Sequence, residues 1–427
     1  MTNDVVTGQK VHNGTAMAEK VVIVGSGQSG VSVAFKLRAL GFDGTVTLIG
    51  QEPHLPYQRP PLSKKYISGL AEEELLHLKK SAIYESERID LVKGRQVVAI
   101  HREEKTIELD DGNRLDYDRL VLTTGARARV LPEALGGSAE NVYTLRTLSD
   151  ARALKEAFTE GRHLLVIGGG YIGLETAAVA RSMGLRVTVI EREKRILARV
   201  ASAPTADYFR QLHLDNGVQI LEATGLERLE LVNQRATHAL LNDGTKLPID
   251  LVVVGIGVVP EVELAEDAGL MVGNGIIVDE TGRTSDPMIY SAGDCACFNY
   301  RGQRIRLESV QNAIDMAVAV AQSIVGQDSG YQCFPWFWSD QYATKLQIAG
   351  LNLGYTHVAV RRTSAASMSV WYYNQDQFIA VDAINDAKAF MTAKRWLSSG
   401  MNPSLAALSD PGVELNACLD GQNEYVS

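Results

Sequence analysis

Two glycine-rich turns are the parts of this sequence whose spacing most clearly predicts chemistry. VVIVGSGQSG (21–30) and VIGGGYIG (166–173) each begin as a short apolar run and open into closely spaced glycines. Such glycines let the backbone approach a pyrophosphate at the positive end of a helix. The glycines that fit this GxGxxG pattern are Gly25, Gly27 and Gly30 in the first turn and Gly168, Gly170 and Gly173 in the second. Two dinucleotides are therefore expected, together with a reaction that passes between them.

Both turns stand in the same order of predicted elements. A helical segment and a second strand follow the first turn (VSVAFKLRAL, TVTLIG) and again follow the second (GLETAAVARSMG, RVTVIE). Each second strand is followed by an acid, Glu52 or Glu191, roughly 20 residues past the last glycine, where a ribose ligand is expected. A single GxGxxG is weak evidence because any tight turn can use glycines. Two complete βαβ units are strong evidence for two Rossmann-like domains.

Glu191 indicates which nicotinamide nucleotide binds at the second turn. It follows directly on the strand VTVI, where a carboxylate binds the ribose hydroxyls and repels a 2′-phosphate. This position favours NADH over NADPH. Arg192, Lys194 and Arg195 lie close by in the sequence and would weaken the preference, so its strictness stays open.

The composition changes at about Phe334. Aromatic residues concentrate in CFPWFWSDQY, and alternating runs follow, such as THVAVRR and SMSVWYYN. Alternation predicts antiparallel strands with one solvated face. The predicted fold class is therefore α/β, with two Rossmann-like domains and a C-terminal α+β domain that contains an antiparallel sheet. The predicted ranges are a disordered tail at 1–19, the first nucleotide domain at 20–130 and 260–333, the second at 131–259, and the C-terminal domain at 334–427.

Length, charge and cysteine content narrow the possible functions. The chain has 427 residues and a formal net charge of −9, which argues against a nucleic-acid partner. The sequence contains no run of about 18 apolar residues, so no membrane span is predicted. Four irregularly spaced cysteines and eight scattered histidines predict neither a disulfide framework nor a bound metal. We expect a cytoplasmic protein of two or three domains.

Two further motifs resemble those of the two-dinucleotide flavoprotein reductases, which share the glutathione-reductase-like fold. TSDPMIYSAGD (284–294) is similar to the second flavin motif of that superfamily, whose terminal aspartate, here Asp294, holds the ribityl chain. YDRLVLTTG, which ends at Gly125, is similar to the connector that usually reads ATG, with Thr123 in place of the alanine. The resemblance implies that FAD binds at the first turn and NADH at the second.

Within that superfamily the chain resembles the putidaredoxin-reductase-like ferredoxin reductases of oxygenase systems, from about Lys20 to Gly412. The segments that carry the resemblance are PYQRPPLSK (56–64), RLESVQNAIDMA (306–317) and PWFWSDQYATKLQIAG (335–350). It implies that NADH delivers a hydride to FAD and that single electrons then pass to a [2Fe–2S] ferredoxin, which serves a cytochrome P450 or another oxygenase.

The same resemblance implies roles for individual residues. Glu175 and Glu308 would lie beside the nicotinamide, Lys64 would pair with Glu175 across the flavin N5, and Trp338 would lie against the flavin on the partner's side, with Trp336 as packing. Besides the six glycines, the implied cofactor contacts are Glu52, Arg59, Lys64, Val97, Gly125, Arg127, Ile172, Glu175, Glu191, Arg199, Gly257, Asp294, Val310 and Trp338.

The cysteines separate this chain from the thiol-dependent relatives of the fold. Disulfide reductases carry a redox cysteine pair near the flavin, and peroxidase-type relatives carry a single cysteine, but residues 51–70 contain none. Cys295 and Cys297 follow Asp294 directly and are expected to pack near the ribityl chain rather than react. Without a thiol relay, electrons must leave the flavin directly for the partner.

Transient redox complexes are small and polar, so we expect electrostatic steering of the partner. Six basic residues are candidate contacts, although any one of them is more often part of a solvated surface: Arg301, Arg304, Arg306, Lys345, Lys388 and Lys394. Two alternatives stay open on this scaffold, an NADH oxidase or rubredoxin reductase, and a redox-regulated binding protein like apoptosis-inducing factor. The net charge counts against the latter. Whether the protein is a monomer or a weak dimer is also left open, as are the ferredoxin, the oxygenase and its substrate.

Overall fold

The computed structural model describes residues 19–327 and 330–419. Most of the predicted tail at 1–19 and the end of the predicted C-terminal domain lie outside these residues. Among the helices of the described ranges, none has the length and hydropathy needed to cross a membrane.

The two predicted βαβ units are present in the first part of the chain. The first unit and its extensions contain β1 (Lys20–Val24), α1 (Gln28–Ala39), β2 (Thr45–Gly50), α2 (Ser81–Ser86), β3 (Ile89–Lys93), β4 (Val97–His101), β5 (Thr106–Leu109), β6 (Arg114–Asp116), β7 (Arg119–Leu122) and β8 (Ala126–Ala128). The second contains β9 (Val142–Tyr143), α3 (Leu148–Ala157), β10 (His163–Ile167), α4 (Tyr171–Ser182), β11 (Arg186–Ile190), α5 (Ala203–Asp215), β12 (Gln219–Leu221), β13 (Leu226–Val232), β14 (Arg235–Leu241), β15 (Lys246–Pro248) and β16 (Leu251–Val254).

The remaining elements complete the first unit and build the C-terminal domain. The return segment contains β17 (Val258–Pro260), α6 (Glu263–Asp267), β18 (Val272–Gly273), β19 (Gly275–Ile277), β20 (Ile289–Ser291), β21 (Ala296–Tyr300), β22 (Gln303–Ile305) and α7 (Val310–Ile324). The C-terminal domain contains β23 (Trp336–Gln341), β24 (Thr344–Gly350), β25 (His357–Ser364), β26 (Ser367–Asn374), β27 (Gln377–Ile384), α8 (Ala387–Ser398) and α9 (Leu405–Ser409). Short 3-10 helices lie at Pro60–Ser63, Glu73–Leu76, Glu133–Leu135 and Leu415–Leu419.

Three five-stranded sheets organise these elements. The first is parallel in the order β20-β7-β1-β2-β3, and the second is parallel in the order β12-β11-β10-β16-β9. The third is antiparallel in the order β23-β24-β27-β26-β25. Because β20 joins a sheet that begins at β1, the second unit is an insertion into the first. This arrangement confirms the predicted fold class.

The two parallel sheets are covered in different ways. Helix α7 packs against α1 through apolar side chains, and both belong to the core of the first sheet. The second sheet's helices α4 and α5 instead share one apolar core with the C-terminal sheet. Members of this shared core include Leu174, Ala177, Phe209, Leu346, Met368 and Val370. The C-terminal domain therefore packs directly against the helices that follow the second glycine turn.

Candidate active site

The outer glycines of the two turns are required by close packing of the backbone. A Cβ on Gly30 would lie 2.0 Å from the carbonyl oxygen of Gly25, and a Cβ on Gly173 would lie 2.2 Å from that of Gly168. Gly25 and Gly168 have φ values of 109° and 106°, which disfavour any residue with a side chain. The same geometry therefore recurs in both turns, and it is fixed by the protein itself.

The middle glycines, Gly27 and Gly170, have a different environment. Each is the residue before its helix, α1 or α4, and a Cβ on either would meet no atom of the described chain within 4 Å. Space is thus kept open at two helix N-termini, where backbone N–H groups bind phosphate. In the first turn, the buried Oγ of Ser29 has no hydrogen-bond partner among the described residues, as expected of a group that faces a pyrophosphate.

Thr123 holds the first glycine turn in place. Its Oγ1 donates a hydrogen bond to the carbonyl oxygen of Gly25 at 2.8 Å, and its own carbonyl oxygen lies 2.2 Å from where a Gly25 Cβ would be. An alanine, usual at this position in the resembling superfamily, has no hydroxyl to make this bond. The departure from the ATG pattern therefore adds a contact.

Three of the predicted flavin contacts, Asp294, Arg59 and Gly125, converge on a residue that sequence analysis missed, Arg146. Its Nη2 forms a 2.7 Å ion pair with Asp294, and its Nε donates to the Ala126 carbonyl oxygen next to Gly125. Its own carbonyl oxygen accepts a 2.7 Å hydrogen bond from Arg59. No spacing rule in the sequence points to Arg146. The only available signal is that a half-buried Asp294 needs a cation.

Glu52, the acid of the first unit, is paired with a cation and accepts a hydrogen bond. Glu52 forms a 2.9 Å ion pair with Arg59 and accepts a 2.7 Å hydrogen bond from the hydroxyl of Tyr57. Burial raises the pKa of Tyr57, so this hydroxyl remains a donor. The Tyr57 oxygen in turn accepts from the backbone N–H of Leu148, at the start of α3. Glu52 is thus part of a network that connects the two units.

The acid of the second unit has a different set of partners. Glu191 Oε2 accepts a 2.7 Å hydrogen bond from the N–H of Gly169, inside the second glycine turn, and Oε1 accepts from the N–H of Glu193. Within the described chain no cation is paired with it. The side chain of Arg192 is 87% exposed and lies 4.0 Å from Glu193 instead. Glu191 therefore lies beside the second glycine turn, held by two backbone N–H groups and by no cation of the described residues.

The two units meet at an ion pair between Lys64 and Glu175. Lys64 Nζ lies 2.7 Å from Glu175 Oε2, and the Glu175 side chain is only 1% exposed. Lys64 follows directly on the 3-10 helix Pro60–Ser63, whose two prolines preset the backbone dihedrals. Glu175 lies in the first turns of α4. The proposed pairing of these two side chains is therefore present, and a buried carboxylate has its counter-ion.

Strand β23 brings the predicted tryptophans to the same region. Trp336 and Trp338 lie on one face of the strand, with ring centroids 5.6 Å apart, and Trp336 also packs edge-on against Phe390 of α8. Both indoles are half-buried. The contact with Phe390 fits the packing role predicted for Trp336. The opposite face of β23 points towards α4, where Phe337 stacks on Tyr171.

The other predicted contacts are more dispersed. Glu308 is 44% exposed and pairs at 2.7 Å with Arg306 rather than lying with Glu175. Arg127 is 48% exposed and pairs with Glu261 and Glu263. The remaining predicted residues are Val97, buried in β4; Val310, the first residue of α7; Ile172, 45% exposed in the first turn of α4; Arg199, exposed after β11; and Gly257, at a φ of 101° before β17.

Arg306 corrects the predicted partner surface. Its side chain is only 9% exposed, it pairs with Glu308, and it donates a hydrogen bond to the carbonyl oxygen of Asp294. A buried arginine cannot contact a docking protein, so the prediction for this residue is wrong. Its buried Nε has no partner within residues 19–327 and 330–419. The sequence could not separate Arg306 from exposed Arg304, because both lie in one short charged segment.

The thiols that follow Asp294 are placed as predicted for non-reacting groups. Cys295 is fully buried and its Sγ contacts the Leu122 and Ala292 carbonyl oxygens. Cys297 is 3% exposed, and burial raises the pKa of its thiol. Low exposure and a raised pKa both oppose thiolate chemistry.

The fold, the two turns and the ion pair between them define a class of protein. The sequence model of the pyridine nucleotide-disulphide oxidoreductase family matches residues 19–317, and that of the reductase C-terminal domain matches residues 336–419. The chain belongs to the pyridine nucleotide-disulphide oxidoreductase family.

Individual relatives narrow this assignment. The chain is 42% identical over 404 residues to the putidaredoxin reductase of Pseudomonas putida, with 93% of this chain and 96% of that protein covered. It is 42% identical over 400 residues to the rhodocoxin reductase of Rhodococcus erythropolis, with 92% and 93% covered. The solved covalent putidaredoxin reductase–putidaredoxin complex matches with a TM-score of 0.92 and 41% identity, over 95% of this chain and 99% of that chain.

The chain is thus a putidaredoxin-reductase-like member of the ferredoxin reductases. It is an FAD-dependent oxidoreductase, and its cofactors are FAD and NAD(H).

Proposed function

We propose that this protein oxidises NADH and reduces a [2Fe–2S] ferredoxin that supplies a cytochrome P450 or another oxygenase. When bound, FAD supplies the conversion between two-electron hydride chemistry and single-electron release. The observation that carries the proposal is the buried Lys64–Glu175 ion pair. It joins the segment that follows β2 of the first nucleotide unit to α4, the helix that opens from the second glycine turn, which is where two dinucleotides would meet.

We assign the binding of FAD to the first turn and to the network around Arg146. The open space at Gly27 and the unpartnered Ser29 hydroxyl fit a pyrophosphate. Asp294 would hold the ribityl hydroxyls with one carboxylate oxygen while Arg146 keeps the other. Val310 begins α7, whose N-terminal N–H groups favour negative charge at the pyrimidine end of the ring.

We assign the orientation of the nicotinamide to Glu175 and Lys64. A carboxylate held by a lysine and excluded from water keeps one position, and hydride transfer depends mostly on such fixed geometry. Lys64 pairs with the carboxylate at 2.7 Å, and its more distant contacts at 3.4 and 3.5 Å, with the Pro60 carbonyl oxygen and Ser63 Oγ, would give way to the flavin edge. Glu308, which is exposed and turned to Arg306, would act only at the outer side of the nicotinamide site.

We assign the partner surface to the side of the C-terminal domain that carries Trp338. Lys394 of α8 lies 5.2 Å from the Trp336 ring centroid and also faces Phe334 and Phe390. A cation over an aromatic cluster is a feature of polar, transient interfaces. The other basic residues that we retain as contacts are Arg301, Arg304, Lys345 and Lys388, of which Lys388 pairs with Glu414. The covalent complex of a similar reductase with its ferredoxin supports a ferredoxin as partner.

Four further assignments belong to this proposal. Glu191, paired with no cation of the described residues, favours NADH over NADPH. The division into domains at 20–130 with 260–333, 131–259 and 334–427 is supported by the three separate five-stranded sheets. A monomer or weak dimer is proposed. A cytoplasmic location is proposed because Cys295, Cys297 and Cys333 form no disulfide among the described residues.

The first test is NADH-driven cytochrome c reduction with and without a bacterial [2Fe–2S] ferredoxin, repeated with rubredoxin and with NADPH. A strong dependence on ferredoxin, with NADH preferred, supports the proposal. Preference for rubredoxin would reassign the acceptor, and rapid loss of NADH to oxygen regardless of acceptor would make the protein an oxidase.

The second test addresses the ion pair by anaerobic stopped-flow mixing with NADH. Replacing Lys64 or Glu175 with alanine should slow flavin reduction on the order of 100-fold while FAD content stays near one per chain, because orientation rather than cofactor binding is lost. Lys65→Ala is the matched control, since Lys65 is the neighbouring and exposed lysine. Unchanged reduction rates in K64A and E175A would contradict the role given to the pair.

A further inference from the structure

The Glu175 carboxylate is held from a second side by a row of buried polar groups. Its Oε2 accepts from Lys64 and also from Ser63 Oγ at 2.7 Å. Its Oε1 accepts a 2.6 Å hydrogen bond from Ser339 Oγ of β23. Behind Ser339, Gln341 Nε2 lies 3.2 Å from the Ser339 oxygen.

The row ends at a histidine of the second nucleotide unit. Gln341 Oε1 lies 2.8 Å from Nε2 of His213, on α5. Ser339, Gln341 and His213 are each 0% exposed. Burial lowers the pKa of His213, so the imidazole is neutral. A buried polar row of this kind persists only where its members satisfy one another.

Only one direction of donation satisfies all of these groups. An ionised carboxylate accepts hydrogen bonds and cannot donate, so Ser339 must give its single proton to Glu175. The Ser339 oxygen therefore accepts, and the amide nitrogen of Gln341 must face it. That leaves Gln341 Oε1 towards His213, which must then carry its proton on Nε2. Every bond in the row thus points to the Glu175 carboxylate.

The geometry of β23 explains how three domains contribute to one row. Alternate residues of the strand face the second unit: Phe337 stacks on Tyr171, Ser339 meets Glu175, and Gln341 meets His213. Tyr171 and Glu175 are one helical turn apart on α4, and residues two apart on a strand have a similar spacing. Phe337 and Ser339 of the strand therefore match Tyr171 and Glu175 of α4.

The hairpin that ends β23 is held against the same histidine. Tyr342 follows Gln341 in the two-residue turn before β24 and has a φ of 53°, which is unfavourable for a residue with a side chain. Its ring packs edge-on against His213, with centroids 5.3 Å apart. Strained backbone of this kind persists where surrounding contacts hold it. Here the contact between the Tyr342 ring and His213 holds the imidazole at the end of the row.

We propose that Ser339, Gln341 and His213 are positioning residues for hydride transfer, because they fix the Glu175 carboxylate against Lys64 from outside both dinucleotide motifs. This inference rests on the proposed role of the Lys64–Glu175 pair. It makes the C-terminal domain a part of the hydride-transfer site, in addition to its proposed role in binding the partner.

The rate of flavin reduction by NADH in the holoenzyme tests the row. Ser339→Ala, which removes the last donor, should slow reduction about tenfold, and Gln341→Met and His213→Phe should each slow it about threefold, because a hydrogen bond to a charged group is stronger than one between neutral groups. Ser369→Ala is the matched control. Ser369 is an equally buried serine of the same sheet. Its hydroxyl oxygen accepts a hydrogen bond from Trp371 Nε1, which lies outside the row.

Combining variants separates this role from a loss of stability. His213→Phe should add nothing in the Ser339→Ala background, because His213 acts only through Ser339. Rate losses that multiply in the double variant would overturn the proposal, as would wild-type reduction in S339A while Glu175→Gln is slow. Wild-type reduction in E175Q would instead contradict the proposed role of the ion pair itself. Slow reduction in S369A would show a general effect of sheet stability and would overturn the proposal as well.

The tautomer of His213 provides a readout that does not depend on turnover. In the ¹⁵N-histidine NMR spectrum of the wild-type protein, His213, assigned by its loss in H213F, should carry its proton on Nε2. The Tyr342 hydroxyl lies 3.5 Å from Nδ1 and can keep that nitrogen an acceptor, so Gln341→Met should give a mixture of tautomers when it is combined with Tyr342→Phe. A wild-type histidine protonated on Nδ1, or an unchanged tautomer in the Q341M/Y342F double variant, would overturn the direction of the row.

Discussion

The two nucleotide-binding units share their glycine geometry and differ in the environment of their acids. In both, the outer glycines are required by a carbonyl oxygen about 2 Å from a would-be Cβ, and the middle glycine is open. Glu52 in the first unit pairs with Arg59 and Tyr57. Glu191 in the second bonds only backbone N–H groups among the described residues.

This difference shows what each acid can still do. Glu52 already has a cation and a hydroxyl donor, so it mainly holds the segment that leads to Lys64. Among the described residues no cation pairs with Glu191, so its carboxylate can accept the hydroxyls of a ribose and repel a phosphate. One sequence rule describes both positions, but the proposed selectivity for NADH rests on Glu191 alone.

The largest effect should come from filling the open middle glycines. Gly27→Ala should weaken FAD binding more than about tenfold, and Gly170→Ala should raise the KM for NADH by a similar factor while FAD is retained, because the methyl group occupies the pyrophosphate's place. Flavin content and steady-state kinetics measure both. Gly30→Ala is the contrasting control, since its Cβ would collide with the Gly25 carbonyl oxygen and should lower the stability of the fold itself. If each variant lost affinity for FAD and for NADH equally, the assignment of one nucleotide to each unit would be contradicted.

A smaller effect should come from neutralising each acid in turn. Glu191→Gln should shift the ratio of kcat/KM for NADPH over NADH upwards by about tenfold, because the repulsion of a 2′-phosphate is lost. Glu52→Gln should leave this ratio unchanged and increase the rate of FAD loss, since its partner Arg59 becomes unpaired. Steady-state kinetics with NADH and NADPH and a flavin-release assay measure the two variants. A shifted nucleotide ratio in E52Q would contradict the comparison.

The last prediction concerns the free energy of unfolding rather than nucleotide binding, and it tests the contact between the second unit and the C-terminal sheet. Asp382 of β27 accepts a hydrogen bond from Tyr372 and a 2.7 Å hydrogen bond from Thr205 of α5. Burial raises the pKa of Asp382 to about 6, whereas the pKa of an aspartate in an unfolded chain is about 4. The folded state therefore binds the proton more tightly, so the free energy of unfolding should fall as pH rises through this window, by up to about 3 kcal/mol.

Asp382→Asn keeps an oxygen acceptor and removes the titration. Thermal unfolding between pH 4 and pH 7 should then lose this component of its pH dependence, and the variant should be more stable than the wild type at pH 7. Asp376→Asn, at an exposed turn of the same sheet, is the control and should follow the wild type. A D382N curve that parallels the wild-type curve would contradict the prediction.

The sequence was sufficient to predict those helices and strands whose patterns lie in consecutive residues. Both βαβ units follow from apolar runs that end in glycines, and the C-terminal sheet follows from alternation, because strand and helix periods are written in consecutive residues. The Lys64–Glu175 pair needed more, because its members are 111 positions apart. It was reached through family resemblance, and the structure then supplied the contact.

What the sequence could not supply depends on distant packing. Arg146 has no motif, and its importance arises only when Asp294 and Gly125 are brought beside it. Ser339, Gln341 and His213 are common residue types, and their row exists only because β23 lies along α4 and α5. Arg306 shows the opposite failure, since charge alone predicted exposure and the structure buries it.

Strand β23 also limits how this protein can be recombined with its relatives. Trp336 and Trp338 on one face of β23 share a single backbone with Ser339 and Gln341 on the other. A chimaera joined near residue 334 would therefore import both faces at once. The grafted strand would then have to suit a foreign Tyr171, Glu175 and His213. The exchangeable module is therefore β23 together with α4 and α5, and a swap intended to change the protein partner should carry all three.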